Sequence, residues 1–359
     1  MAYSTISKPG LHFNTKLYTG NGSSGHAITG VGFQPDWVWI KNRTDSASHN
    51  LYDAVRGTSA GKLKSNTNTA QSYNAQDLSV FGTDGFTVGS NNEVNGNSDA
   101  MVSWNWKAAN SSGSSNSDGT TTSTVSANTT AGFSIVKYSG SSSAKTIGHG
   151  LGATPDLMIV KVYSSGYEWA VYHSSLGHGK NLYLDSTGGA SNTTTFWNNT
   201  APTNSVFSVG GQIIYTNYSG QDYIAYCFAE KKGYSKFGSY TGNGNADGAF
   251  IYTGFKPAWL MIKRSSNTDN WYIKDNKRSG TSALENFGQM NPNQTQHPSA
   301  NNSSAENKAS AFSVDILSNG FKCRGTDAGI NQNAETYVYM AFAEEPLVAN
   351  VGQSIPATA

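Results

Sequence analysis

Two short motifs in the chain have the spacing of catalytic or cofactor-binding loops. Residues 57–61 match the G-x-S-x-G pattern around a serine nucleophile, Ser59, and residues 20–25 match the G-x-G-x-x-G pattern of dinucleotide-binding loops. The first pattern requires a buried strand before the serine and a helix after it, and the second requires a helix whose amino terminus holds the phosphates. Neither motif has such flanks, so we interpret both as glycine turns.

Two histidines are the best candidates for a metal site. His173 and His178 lie five residues apart, but no third cysteine, histidine or carboxylate has the spacing of a further ligand. Hydrogen-bonded loop histidines are the simpler interpretation. The sequence therefore predicts no metal, no cofactor and no catalytic residue.

Aromatic side chains are the remaining candidates, because tryptophan and tyrosine rings stack on the faces of sugars. Six of the eight tryptophans lie in strand-like runs, and Trp169 aligns with one of them, Trp271. These seven are predicted to be core or sheet-face residues: Trp37, Trp39, Trp104, Trp106, Trp169, Trp259 and Trp271. Trp197 lies instead in a loop-like stretch and is followed by Asn198 and Asn199. These three residues are the predicted ligand contacts. The alternative is that Trp197 anchors its loop by packing.

An internal repeat supplies the elements that would position these residues. Three apolar runs begin at a proline and end at a lysine, at residues 35–41, 155–161 and 257–263. A tyrosine and a glycine turn precede each run, and the lysine follows the tyrosine by 23 positions in every copy (18 and 41, 138 and 161, 240 and 263). Such fixed spacing indicates one structural unit in three copies.

The apolar runs predict central strands that are buried on both faces. Successive side chains of a strand point to opposite faces, so Trp37 and Trp39 lie on one face and Val38 and Ile40 on the other. One face is expected to pack on an opposing sheet, and the other on a loop or a neighbouring repeat. The lysine that ends each run is predicted to be a solvated strand terminus.

Short strands separated by glycine turns are typical of antiparallel sandwiches. We therefore predict an all-β protein of three tandem antiparallel β-sandwich repeats of the jelly-roll or lectin-like kind. The predicted divisions are an amino-terminal arm and first repeat (1–107), a Ser/Thr-rich linker (108–131), a second repeat (132–230), a third repeat (231–345) and a carboxy-terminal tail (346–359). The alternative for 108–131 is an extended segment held by its neighbours.

Composition excludes several classes of partner and site. Charged residues form 13% of the 359 residues and the net charge is +1, without the clustered cations that nucleic acid requires. No apolar stretch is long enough to insert into a membrane, and the amino terminus lacks the apolar core of a signal peptide. The two cysteines, Cys227 and Cys323, are predicted to be buried free thiols rather than an inter-repeat disulfide.

Several segments of the second and third repeats carry a family resemblance: 133–138, 149–152, 225–230, 233–244, 255–259 and 339–344. In these segments the chain resembles an uncharacterised repeat-domain family of phage structural proteins, common in marine and cyanobacterial phages and usually described as tail-fibre or virion proteins. The resemblance is weaker in the first repeat. It implies a location on the exterior surface of the virion. Since the amino terminus lacks a signal peptide, the chain is expected to be made in the host cytoplasm. The family carries no established catalytic residues, so the resemblance transfers none to this chain.

The expected function is therefore non-enzymatic. The chain is expected to be a tail-fibre or receptor-binding component that attaches to a host-surface glycan or protein through several weak sites at once. The alternatives are a capsid decoration or fibre protein and, third, a polysaccharide depolymerase. Expected partners are other virion proteins and further copies of the chain, with a trimer as one possible assembly.

Overall fold

The structure is a computed structural model that describes residues 4–278 and 314–346. β-Strands dominate it, and every pair of neighbouring strands in these two ranges is antiparallel. The helices described are short: α1 (Asn92–Asn95), α2 (Ala328–Asn331) and 3-10 turns at Pro9–Leu11, Thr58–Ala60 and Ser174–Leu176. The predicted all-β class is confirmed.

The strands form three units along the chain. The first unit contains β1 (Phe13–Thr19), β2 (His26–Thr29), β3 (Trp37–Asn42), β4 (Asn50–Asp53), β5 (Leu63–Lys64), β6 (Leu78–Gly82), β7 (Gly85–Val88) and β8 (Ala100–Trp106). The second contains β9 (Ser114–Asn116), β10 (Ser123–Asn128), β11 (Phe133–Ser139), β12 (Lys145–Gly148), β13 (Leu157–Val162), β14 (Ala170–His173), β15 (Lys180–Tyr183), β16 (Ser191–Asn192), β17 (Val206–Val209) and β18 (Asp222–Phe228). The third contains β19 (Ser235–Thr241), β20 (Phe250–Tyr252), β21 (Phe255–Arg264), β22 (Trp271–Asp275), β23 (Val314–Leu317), β24 (Gly320–Cys323) and β25 (Thr336–Pro346).

All three units have the same sheet topology. Each has a large sheet that contains the strand order β1-β8-β3-β4, β11-β18-β13-β14 or β19-β25-β21-β22. Each also has a small sheet that contains the pair β2-β7, β12-β17 or β20-β24. In every small sheet an isoleucine lies opposite a phenylalanine: Ile28 and Phe86, Ile147 and Phe207, Ile251 and Phe321. The repeated apolar runs of the sequence are therefore equivalent strands of one recurring sandwich.

The central strand of each large sheet is buried on both faces, as the sequence predicted. In β3, Val38 and Ile40 pack on the small sheet of the same unit, where they meet Phe86. Trp37 and Trp39 point the other way and enter a different apolar cluster. Because the two faces bury separate clusters, neither face needs a polar residue.

The inward faces of the three large sheets meet in one shared core. Trp37 of the first unit stacks on Tyr226 of the second, with ring centroids 4.4 Å apart. Trp106 of the first unit makes an edge contact with Trp259 of the third at 5.5 Å. Side chains from all three units belong to this cluster, so the second face of each central strand is covered by neighbouring units.

Buried polar side chains also link the units through this core. The hydroxyl of Tyr226 donates to Asp53 of the first unit at 2.9 Å, and the indole of Trp104 donates to Asp275 of the third at 3.0 Å. Each carboxylate also pairs with an arginine three residues later, Arg56 or Arg278. The charges are therefore buried together with their partners, which is the condition for burying an ion at modest cost.

Residues 108–131 do not separate the first two units. β10 pairs with β11, placing Val125 opposite Val136, and β9 pairs with β10 at the edge of the same sheet. Thr121 also forms a bridge with Ile147 of the small sheet. The expectation of a linker is thus wrong, and the alternative of an extended segment is correct. Backbone hydrogen bonds hold this segment in the sheet, so it needs few apolar side chains. The apolar pattern that predicts strands is therefore nearly absent from its sequence.

The amino-terminal arm lies between the first and third units. Ile6 enters the shared core, and the 3-10 turn Pro9–Leu11 lies against β1 and β25. Just after the arm, the ring of Phe13 in β1 stacks on Phe342 of β25 at 5.2 Å. Residues 347–359 of the predicted tail lie outside the described residues.

Candidate functional site

Two loops of the second unit form an open cleft lined by tyrosines. We call it the tyrosine cleft; its lining residues are Ser165, Gly166, Tyr167, Ile214, Tyr218 and Gln221. Its volume is about 560 Å³, within the range of small-molecule sites. Tyr167 is 39% exposed and Tyr218 is 41% exposed. None of the six lining side chains carries a charge at neutral pH.

A polar cluster fastens the β13–β14 loop to the β17–β18 loop. Ser164 and Ser165 both donate their hydroxyls to the side-chain oxygen of Gln221, the former at 2.9 Å. The backbone N–H of Asp222 donates to the Ser164 hydroxyl at 3.0 Å. The amide group of Gln221 thus lies at the rim of the cleft with its oxygen already engaged.

Stacked aromatic rings support the cleft from below. Tyr215 stacks on Phe196 with centroids 5.0 Å apart, and it makes edge contacts with Tyr167 at 6.3 Å and with Tyr183 at 5.5 Å. Such contacts restrict ring orientation, so Tyr167 has a defined position although more than a third of its surface is exposed.

A buried asparagine builds the β17–β18 loop. The side chain of Asn217 accepts from the N–H of Ser141 at 2.7 Å and donates to the carbonyl of Gly210 at 2.9 Å. A side-chain carbon on Gly140 would stand 2.2 Å from the carbonyl oxygen of Tyr218, so only glycine fits there.

The same arrangement occurs in every unit. A buried asparagine lies nine positions before a shared-core residue of the last strand: Asn95 and Trp104, Asn217 and Tyr226, Asn331 and Met340. The recurring tyrosine donates at 2.7 Å to the carbonyl that precedes this asparagine: Tyr18 to Val94, Tyr138 to Thr216, Tyr240 to Ile330. These asparagines were not predicted from the sequence, although their fixed spacing to the final strand is a signal that could have identified them.

The cleft tyrosines are specific to the second unit. Strand register aligns β14 with β4 and β22. The buried asparagines align the loops that lead into β8, β18 and β25. At the positions of Tyr167 and Tyr218 the first unit carries Ala47 and Gly96, and the third carries Asp269 and Gln332. An aromatic cleft therefore occurs at this position in the second unit alone.

The lysines that end the central strands are not solvated, so that prediction is wrong. All three are fully buried: Lys41, Lys161 and Lys263. The ammonium of Lys161 donates to carbonyl oxygens of Tyr167 at 2.5 Å, Asn68 at 3.1 Å and Ser165 at 3.4 Å. Loops of two units cover the strand end, and carbonyl oxygens replace water around the cation.

The predicted contacts in the 194–202 stretch lie in a different place from the cleft. Trp197 is fully buried in the sandwich core of the second unit, where its indole donates to the carbonyl of Lys180 at 3.2 Å and its ring meets Tyr172. It therefore offers no free ring face to a ligand and anchors its loop. Asn198 and Asn199 are exposed, in left-handed backbone conformations with φ of 51° and 47°.

The other candidate residues have structural surroundings. His173 is buried against the carbonyl of Tyr339 at 3.1 Å, and burial lowers its pKa to about 4. Ser59 lies exposed in a 3-10 turn. Cys227 and Cys323 are buried free thiols, as predicted. Among residues 4–278 and 314–346, no three His, Cys, Asp or Glu side chains group as metal ligands would.

A family model describes nearly the whole chain. The model of a domain of unknown function, DUF7483, matches residues 8–346. The chain belongs to this family. The match covers all three units of the DUF7483 chain together with part of its amino-terminal arm.

Two further comparisons gave no match, one with curated proteins and one with solved structures. Within the described part of the DUF7483 chain, no helix has the length and apolarity to cross a membrane.

Proposed function

We propose that this chain is a non-enzymatic, glycan-binding structural protein on the exterior of a phage particle. The observation that carries the binding function is the tyrosine cleft, which holds two half-exposed rings beside a fixed amide in the second unit. The phage location is supported by the family resemblance of the second and third repeats.

The chemistry of the cleft suits an uncharged sugar. Aromatic rings pack against the apolar faces of pyranoses, and Tyr167 and Tyr218 provide two such rings with their hydroxyls available for hydrogen bonds. The amide nitrogen of Gln221 can donate to a sugar hydroxyl, since its oxygen already accepts from two serines. With no charge on its lining, the cleft favours neutral hexoses over sialic or uronic acids.

A single open cleft of this kind binds weakly. Several copies of the chain on one particle would multiply that affinity by raising the effective concentration of each further site. We therefore propose that the chain works as a homo-oligomer or in a multi-copy assembly with other virion proteins.

Glycan binding by the purified chain tests the proposal. We expect a glycan array to select neutral hexose structures, and Tyr167→Ala or Tyr218→Ala to weaken binding about tenfold or more, as loss of a stacked aromatic does. Tyr252→Ala is the matched control, because Tyr252 is an exposed tyrosine of the third unit's small sheet, at 52%. Array binding that survives both cleft variants, or is lost equally in the control, would refute the cleft as the site.

The location on the particle is tested separately. Labelled antibody against the chain should mark the tail of intact particles if the chain is a tail-fibre component. Label spread over the capsid would instead identify a decoration protein. Release of reducing ends from host glycans by the purified chain would contradict the non-enzymatic assignment.

A further inference from the structure

Three carbonyl oxygens surround the ammonium of Lys161 directly behind the tyrosine cleft. Two belong to the cleft loop itself, at Ser165 and Tyr167, and the third belongs to Asn68 of the first unit. The distances are 3.4, 2.5 and 3.1 Å. The ring of Trp169 lies 6.0 Å from the same ammonium, within the range of a cation–π contact.

Residues 64–71 of the first unit lie alongside the β13–β14 loop, which forms the wall of the cleft that carries Tyr167. The N–H of Gln71 donates to the carbonyl of Tyr163 at 3.0 Å, and the indole of Trp169 donates to the carbonyl of Lys64 at 3.0 Å. Gly166 has no side chain between the two loops; a carbon built there would stand 3.5 Å from the oxygen of Asn68. The wall of the cleft that carries Tyr167 therefore rests on the first unit.

We propose that Lys161 is a positioning residue for ligand binding, which fixes Tyr167 by holding the cleft loop against the first unit. This role rests on the proposed glycan-binding function of the tyrosine cleft. Lys161 itself does not line the cleft, so it acts through the backbone on both sides of Gly166.

The charge on Lys161 is what satisfies the carbonyls. A lysine ammonium has three N–H donors, one for each of the three carbonyl oxygens, and no acceptor. A neutral amine has only two N–H donors, and its lone pair would face the third oxygen. Buried carbonyls without a donor are costly. A neutral side chain at this position should therefore let the loop move away from Asn68 and carry Tyr167 with it.

The charge also makes the cleft sensitive to pH. Burial lowers the pKa of Lys161 to about 8, although the carboxylates of Asp185, just after β15, and Glu168, just before β14, favour the charged form. Burial raises the pKa of Asp185 to about 6, so this carboxylate stays ionised while Lys161 changes its charge between pH 7 and 9. The neutral form should bind about tenfold more weakly than the charged form, and we therefore expect the glycan dissociation constant to rise about fivefold over this range.

Lys161→Met, which keeps the length of the side chain and removes its charge, is the direct test. Lys263→Met is the matched control, because Lys263 occupies the same position in the third unit and donates to Thr187 and Arg264, away from the cleft. Calorimetric titration with the strongest array glycan should show about tenfold weaker binding for K161M at pH 7 and no further change up to pH 9. K263M should bind like the wild type and keep its pH dependence.

Hydrogen exchange of residues 163–168 provides a readout that needs no ligand. Exchange should be faster in K161M than in K263M or the wild type. Equal exchange in the three proteins, or unchanged affinity in K161M, would overturn the positioning role. If K161M does not fold, a wild-type affinity that stays constant between pH 7 and 9 overturns it. If the wild type binds no glycan at all, the proposed function fails, and loop exchange alone decides whether Lys161 positions the loop.

Discussion

Removal of one hydroxyl group tests whether the three units fold as one body. Tyr226 of the second unit donates to Asp53 of the first at 2.9 Å, and both side chains are fully buried. Asp53 also accepts from the Arg56 side chain at 2.6 Å. Tyr226→Phe removes the inter-unit donor, leaves the ring in the shared core, and leaves the carboxylate with its arginine.

The expected decrease in the free energy of unfolding depends on the kind of hydrogen bond that each substitution removes. A hydrogen bond to a buried charged group contributes about 1.5–3 kcal/mol, against about 0.5–1.5 kcal/mol for a bond between neutral groups. Tyr223→Phe is the matched control, because Tyr223 is buried on the same strand and donates to the neutral carbonyl of Ile214 in its own unit at 2.9 Å. We therefore expect about 2 kcal/mol for Y226F and about 1 kcal/mol for Y223F.

Scanning calorimetry measures both the size and the cooperativity of the effect. If the described residues (275 in the range 4–278 and 33 in the range 314–346) unfold together, the unfolding entropy corresponds to a shift of about 1.5 °C per kcal/mol, hence about 3 °C for Y226F and about 1.5 °C for Y223F. Both variants should show a single transition that moves as a whole. A separate transition for the first unit, or a smaller shift in Y226F than in Y223F, would refute a shared core that couples the units.

Two further predictions concern the recurring glycine and the buried lysines. Gly242→Ala should destabilise the protein by about 1–3 kcal/mol in urea unfolding, because the new carbon would stand 2.3 Å from the carbonyl oxygen of Gln332. The control, Gly179→Ala, should change stability little, since no atom lies within 4 Å of its new carbon. Equal effects of the two substitutions would contradict the close approach at Gly242. Burial lowers the pKa of Lys161 and Lys263 to about 8, below the 10.5 of an unfolded lysine, so the unfolded chain binds more protons than the folded chain above pH 8. The free energy of unfolding should therefore rise with pH. Burial raises the pKa of the two cysteine thiols, which opposes this rise, and the net increase between pH 8 and 9 should be about 1 kcal/mol. Above pH 10 the buried tyrosines, whose pKa values burial raises, reverse the trend. A K161M/K263M double variant that keeps the rise in urea titrations at both pH values would contradict this origin.

Stability and glycan binding should thus respond in opposite directions to the same titration. The folded state gains relative to the unfolded state as the lysines lose their protons, whereas the cleft loses the donor that holds Tyr167. This opposition separates a local effect on the tyrosine cleft from a general change in stability.

The candidate site was only partly predictable. The sequence predicted a ligand contact in the second unit, but at Trp197, because this tryptophan has no counterpart in the other repeats and was not expected to be a core residue. The structure buries its ring against Tyr172. The tyrosines that line the cleft are 51 positions apart in the chain, at 167 and 218, and no local pattern connects them.

The sequence by itself determined the repeating unit, its strands and the two apolar faces of its central strand. These features follow from local periodicity, because alternation along a strand fixes which side chains share a face. It did not determine what covers the second face, since an apolar strand face fits a loop, a sheet or a neighbouring unit equally well. Only the tertiary structure brought Tyr226 to Asp53 and three carbonyls to Lys161. Those contacts join distant backbone segments, and the free energy that selects them comes from burying all three large sheets together.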